Sequence, residues 1–296
     1  MVDTAALRDE LVELTSGWEG LYGIAVHDLN DPSVNLELGG TQVLPTASTI
    51  KVAVLVELMR QAGAEKIDLE KSIEIRADEQ LGGSGILKAF SPGASITLRD
   101  AATLMIVLSD NTATNMCTDA LVGGIDSVNA AMDELGLSAV RLHNRIDFEL
   151  IGPDVRRLGE ATAVQMSQLA HKIATGTAFD AEVSTACERV MAQQQYLDQF
   201  SRYFDYNPYW RELNQESVLS VANKTGFFTG TRVDVGIVRF PNSDGFSYCV
   251  ANHELNDETF LPHAAGAHRN GLIGHAVLRA WWPDGPESVP VVAPPG

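Results

Sequence analysis

Leu7, Leu11 and Leu14 recur every three or four residues behind Asp3-Thr4, which predicts an amphipathic helix opening the chain. The period then changes. Residues 22–27, Tyr-Gly-Ile-Ala-Val-His, read as a strand closed by turn signals at Asn30, Asp31 and Pro32. After Pro45 the pattern becomes helical again. Residues 52–59 are almost wholly apolar, so a helix there must be buried. Thr97-Leu98-Arg99-Asp100 has the form of a capping box and opens a further apolar helix through Leu108. More helices are predicted at 112–121, 125–135 and 163–174. β-Branched and aromatic residues return at 218–223, 232–240 and 246–251, separated by Gly, Pro, Asn and Ser, and predict three strands. A last helix is predicted at 272–282, after Asn270-Gly271.

Strands near both ends with helices between them imply an α/β (α+β) fold, its sheet assembled from the two termini. The expected division is a sheet subdomain of residues 1–43 and 216–296 and an inserted all-α region of residues 44–215. The tail after Pro283, rich in Pro and Val, reads as an extended or frayed end.

Charge narrows the choice of partner. Among 296 residues, 21 Lys and Arg stand against 39 Asp and Glu, a formal charge of −18. Such a chain repels polyanions, which argues against nucleic acid and anionic membrane surfaces. An anionic small molecule would need a local positive pocket. Cys117, Cys187 and Cys249 are far apart and form no metal or redox spacing, and the scattered histidines contain no HExxH. No metal and no cofactor is expected, and the three thiols read as small buried groups. No stretch reaches the roughly 18 apolar residues of a membrane helix. The first fifteen residues lack a basic segment followed by an apolar run, so they do not read as a signal peptide. The expectation is a monomer, cytoplasmic as the chain stands, or periplasmic or secreted if a leader has been removed.

Three short motifs carry chemistry. In Ser48-Thr49-Ile50-Lys51, residues i and i+3 at a helix start share a face, which brings a hydroxyl and an amine within reach. A desolvated lysine can take the proton that a serine must lose to act as a nucleophile. Ser109-Asp110-Asn111 falls between two helices, where a hydroxyl and an amide can project into a cleft, although the same residues are also favoured helix caps. Lys224-Thr225-Gly226 ends a strand, and the bare glycine lets a substrate approach the edge backbone.

Each triplet is common alone. Together, in this order and on these elements, they resemble the penicillin-recognising serine enzymes, in particular the class A β-lactamases and β-lactamase-related serine hydrolases. The resemblance covers nearly the whole chain, from the strand near Gly23 to the helix of Trp281. It implies a β-lactamase-like fold, acylation of Ser48 by a β-lactam and hydrolysis of the acyl-enzyme. It implies Lys51 as proton partner, Ser109 as carrier of the proton to the leaving nitrogen, and Asn111 as guide for Lys51 and the substrate side chain. Lys224, Thr225 and Arg232 would bind the substrate carboxylate, and the backbone N–H groups of Ser48 and Phe227 would form the oxyanion hole. The implied substrate is a β-lactam, or an ester or amide that carries a carboxylate.

The chain departs from the family at the loop that should supply a general base for deacylation. The nearest match is Arg145-Ile146-Asp147-Phe148-Glu149. Matched to the family loop's arginine, Arg145 implies Asp147 as the base and Glu160 as the arginine's acidic partner, with Glu149 the competing candidate for base. Phe227 and Phe228 follow Gly226 where small residues are usual, and Gly82-Gly83-Ser84-Gly85 offers a flexible cleft edge. An aromatic insert at 193–216 could wall the active site or pack on the helical region, packing being the preferred reading. An esterase or peptidase on the same scaffold, or a penicillin-binding protein that stays acylated, are the alternatives.

Overall fold

The computed structural model describes residues 2–210, 212–214, 219–241, 245–261, 263–283 and 285. The tail beyond Pro283 lies almost wholly outside them, as does the start of the strand predicted from residue 218. The first half runs α1 (Thr4–Thr15), β1 (Leu21–Asp28), β2 (Asn35–Leu38), β3 (Val43–Pro45), α2 (Lys51–Gly63), β4 (Ser72–Glu74), β5 (Ser95–Thr97), α3 (Leu98–Val107), α4 (Asn111–Ala120) and α5 (Gly124–Glu134). There follow β6 (Arg141–Leu142), α6 (Phe148–Ile151), β7 (Gly159–Thr162), α7 (Ala163–Ala174), α8 (Ala181–Met191), β8 (Ser220–Phe228), β9 (Thr231–Arg239), β10 (Gly245–His253) and α9 (Ala265–Trp281).

The termini do build the sheet. Its order is β2-β1-β10-β9-β8, with antiparallel neighbours throughout, so β8 is an edge. Side chains alternate across it because the strand period is two. Ile24, Val26, Phe246, Tyr248 and Val250 enter the core beneath α1 and α9. Ala25, Val233, Val235, Ile237, Cys249 and Ala251 face the helices on the other side. Leu7 and Leu11 of α1 lie in the first core, as their spacing predicts, and Asp3 caps the helix through the Ala6 N–H. The burial of a side chain like Leu11 contributes about 1.5–3 kcal/mol.

Helix α2 runs through the second core with residues 52–59 all buried, and Thr97 and Asp100 form the expected capping box on α3. The inserted region is not all-α, however. It contains a three-stranded sheet, β3-β7-β6, and a two-stranded one, β4-β5. Helix α7 packs on β10 and β1, so this region also covers one face of the main sheet.

Helix α9 begins at Ala265, before the Asn270-Gly271 pair that read as its boundary. A Cβ at Gly271 would collide with Arg202, and one at Gly274 with the Phe200 carbonyl. These glycines let the aromatic insert lie against the helix rather than break it. Phe200 stacks on Tyr248 at 3.6 Å between ring centroids, and Phe204 is buried beside it. The insert therefore packs on the sheet and α9, not on the helical region alone.

Candidate active site

Ser48 lies in a 3₁₀ turn, Ala47–Ile50, that leads directly into α2. Ala47 just before it has φ +44°, a left-handed conformation that costs a non-glycine residue about 1–2 kcal/mol. Ser109 is held in the same region at φ +53°. Strained backbone on both sides of one cleft fits a site whose geometry is imposed by the surrounding fold.

Lys51 is completely buried. Its Nζ lies 2.7 Å from the Ser109 carbonyl, 3.0 Å from Asn111 Oδ1 and 3.2 Å from Ser109 Oγ. Burial, reinforced by the Lys224 charge, drives its amine well below the ordinary lysine range. The carbonyl and amide oxygens only accept, and Ser109 Oγ accepts the third contact from Nζ. Lys51 and Ser109 thus form a ready proton path. The sequence placed Lys51 beside Ser48; the fold spends its contacts on Ser109 and Asn111.

The SDN turn is stitched to the glycine-rich segment. Asp110 caps α4 through the Ala113 N–H, and its other oxygen accepts from Ile86 N and Leu87 N at 2.7 and 2.8 Å. Asn111 donates to the Gly82 carbonyl at 3.0 Å, and its own N–H donates to that of Ser84 at 3.1 Å. Gly85 has φ +102° and no room for a Cβ against Asp110. The expected flexible edge at 82–85 is instead pinned along its length.

On β8, Lys224 and Gly226 oppose Val235 and Val233, so the register turns both toward the helical side. A Cβ at Gly226 would lie 2.8 Å from the Thr46 carbonyl and 2.9 Å from Ser48 N. Only glycine lets the edge strand meet the backbone of the nucleophile turn this closely. Lys224 is fully buried and donates to the Thr225 carbonyl at 2.5 Å. Burial brings its amine down to about 7, against the opposing pull of Asp234 and Asp198. Asp234, buried behind the strand, accepts from Asn223 Nδ2 at 3.0 Å, Phe200 N at 3.1 Å and the Tyr248 hydroxyl at 3.3 Å. Burial lifts its carboxyl to about 7. The sequence reading missed this acid because nothing local marks it. The Thr225 hydroxyl is buried and has no hydrogen-bond partner among the described residues.

A cavity of about 480 Å³ opens at Ser48. Asn111, Phe227 and Phe228 line it as expected, together with Tyr196, Phe260, Phe148, Ile146 and Ile151. Three placements differ from the sequence expectation. Arg232 does not line the cavity. Its guanidinium donates to the carbonyls of Phe228 at 2.8 Å, Thr231 at 2.6 Å and Thr259, and lies 5.3 Å from the Phe260 ring centre. In this arrangement it fastens the 259–260 segment rather than presenting charge to a carboxylate.

The base candidates also fall elsewhere. Asp147 is exposed and caps α6, its Oδ1 accepting from Glu149 N at 3.0 Å and Leu150 N at 3.1 Å; Glu149 is exposed as well. Neither lines the cavity, whereas Ile146, Phe148 and Ile151 do. Finally, Arg145 does not clamp Glu160. It pairs with Asp119 at 2.6 Å, and Glu160 pairs with Arg156 at 2.9 Å and His143 at 3.2 Å. The loop is held instead by buried Asn115, whose amide exchanges two 2.9 Å bonds with the Ile146 backbone.

Known proteins give this arrangement its context. Beta-lactamase BRO-1 of Moraxella catarrhalis is 27% identical over 142 residues, 47% of this chain and 45% of that protein, so the match spans less than half of the relative. A beta-lactamase from Sphaerobacter thermophilus DSM 20745 superposes with a TM-score of 0.82 at 25% identity, over 96% of this chain and all of that one. PBP-A shares the fold at a TM-score of 0.78 and 24% identity, over 93% of this chain and 95% of that one. The model of the beta-lactamase enzyme family matches residues 6–281. With the SxxK serine, the SDN turn and the KTG strand gathered around one cleft, the chain belongs to the beta-lactamase enzyme family.

Proposed function

We propose that this protein is a serine hydrolase that opens β-lactam rings by acyl transfer to Ser48 and then passes the acyl group to water. One observation carries the reading: a fully buried lysine, one turn beyond a cavity-lining serine, is hydrogen-bonded to the SDN serine and asparagine. Burial, with the Lys224 charge, lowers the hold of the Lys51 amine on its proton, which favours the form a base requires.

In acylation, Ser48 Oγ bonds to the lactam carbonyl carbon while its proton passes to Lys51 Nζ. Lys51 hands a proton through Ser109 Oγ to the ring nitrogen as the C–N bond breaks, and so ends neutral again. In deacylation, water adds to the ester carbon and gives its proton to a base. That proton returns to Ser48 Oγ as the ester bond breaks. Among the described residues no carboxylate lines the cavity, and Lys51, which reaches it through hydrogen bonds to Ser109 and cavity-lining Asn111, is the base we assign to this step. The N–H groups of Ser48 and Phe227 are assigned to the developing oxyanion, Asn111 to the substrate side chain, and Lys224 with the Thr225 hydroxyl to its carboxylate.

Intact-mass spectrometry with benzylpenicillin tests the reading. Wild-type protein should gain the mass of the opened drug and then lose it as turnover proceeds. Ser48→Ala should gain nothing, its acylation slowed at least about a thousandfold. A labelled Ser48→Ala variant would remove Ser48 from the role. Wild-type protein that remains acylated for hours would identify a penicillin binder instead of a hydrolase.

A further inference from the structure

Resting on that reading, we propose that the cavity wall formed by Ile146, Phe148, Ile151, Val155 and Leu158 is an apolar acyl subsite, and that the preferred substrates carry a lipophilic side chain on the carbonyl side of the scissile bond.

The two sides of the cavity differ in chemistry. On the strand side the cavity is lined by Ser48, Phe227 and Phe228, while Lys224 and Thr225, the groups assigned to a carboxylate, are fully buried outside that lining. The opposite wall, from the α6 loop, presents only hydrocarbon. The Phe148 ring reaches across to the 82–85 segment, where a Cβ on Gly83 would lie 3.2 Å from its Cζ. Tyr196, Phe227 and Phe260 continue the apolar surface as a chain of edge-on aromatic contacts with centroids 6.2 and 6.1 Å apart. Phe148 and Phe260 are both about half exposed. Large aromatic side chains left in water at a cleft mouth mark a surface that a ligand completes.

The polar side chains that line the cavity, Ser48, Ser84, Lys88, Asn111 and Tyr196, come from other segments. Asn111 is committed to Lys51 and Gly82, and the Lys88 ammonium is bonded to the Gly83 carbonyl. A charged acyl group laid against this wall would lose water there without a partner, whereas Ser84 and the exposed Lys88 line the cavity from the 82–88 segment. A volume of about 480 Å³ exceeds the need of a bare bicyclic β-lactam and leaves room for several methylenes or a phenyl ring.

The test is the second-order acylation rate constant across penicillins that differ only in the 6-acyl group: acetyl, butanoyl, hexanoyl and phenylacetyl. Burial of each methylene should raise the constant by roughly fourfold up to hexanoyl. Phe148→Ala should shrink the hexanoyl-to-acetyl ratio, a comparison made within one preparation and so independent of the fraction folded. Acylation of Ser48 at one rate by all members, or an unchanged ratio in Phe148→Ala, would overturn the subsite. No labelling of Ser48 by any member would instead overturn the underlying assignment of function.

Discussion

Substituting Asp147 separates two roles that differ by orders of magnitude. Its Oδ1 accepts two backbone N–H groups at the start of α6, and the residue is exposed and off the cavity. Asn caps a helix about as well as Asp does, so Asp147→Asn keeps the cap and removes only the basicity. Deacylation in that variant should stay within about threefold of wild type. Asp147→Ala loses the cap, which costs about 0.5–2 kcal/mol locally, or roughly 2- to 30-fold in the equilibrium that holds α6 in place. Removal of a general base, by contrast, would slow its step by roughly 10²–10⁴-fold. The assay is stopped-flow single turnover with a chromogenic cephalosporin, with the acyl-enzyme followed by quenched-flow mass spectrometry. Should Asp147→Asn acylate normally and then stall by about a hundredfold or more, the cap assignment and the role given to Lys51 are both refuted. Glu149→Gln, equally exposed, should behave as wild type in the same assay.

The remaining expectations concern charge and close approach. Lys224 is held near about 7, so it is cationic below that pH and neutral above it. For a carboxylate-bearing β-lactam, kcat/KM should fall by up to about tenfold per pH unit above that point, whereas an uncharged ester should keep its rate; identical profiles would contradict the carboxylate role. Gly226→Ala drives a Cβ to within 2.8 Å of the Thr46 carbonyl and 2.9 Å of Ser48 N, and backbone on both sides must move. Acylation should fall by about a hundredfold, on the scale of a 1 Å misplacement at the reacting centre. A variant that retains the wild-type acylation rate would show that the strand does not position the nucleophile turn.

What the chain determines locally, it determines well. The Leu7-Leu11 spacing, the Thr97–Asp100 box and the apolar run at 52–59 each encode an element through periodicity and capping, which need no distant partner. The three motifs were legible for the same reason, and the structure brings them to one cleft. Helix α8 was missed although Asp180, Val183, Cys187 and Met191 carry a cap and a helical stripe.

The failures share a cause: each depends on which of several chemically equivalent partners lies nearby in space. Arg145 chose Asp119 over Glu160 because α4 brings that carboxylate to it, and sequence spacing holds no such information. Asp147 caps a helix off the cavity because the short helix α6 begins just after it. Asn270-Gly271 lies inside a helix because the aromatic insert presses on the missing side chain. Arg232 is drawn away from the cavity by carbonyls at residues 228, 231 and 259. The sequence by itself determined the elements that periodicity and capping mark, and the three motifs, since these act over a few residues. Only the tertiary structure decided which charges pair, which amine is desolvated and which wall of the cavity is hydrocarbon, because those depend on distances between segments that lie far apart along the chain.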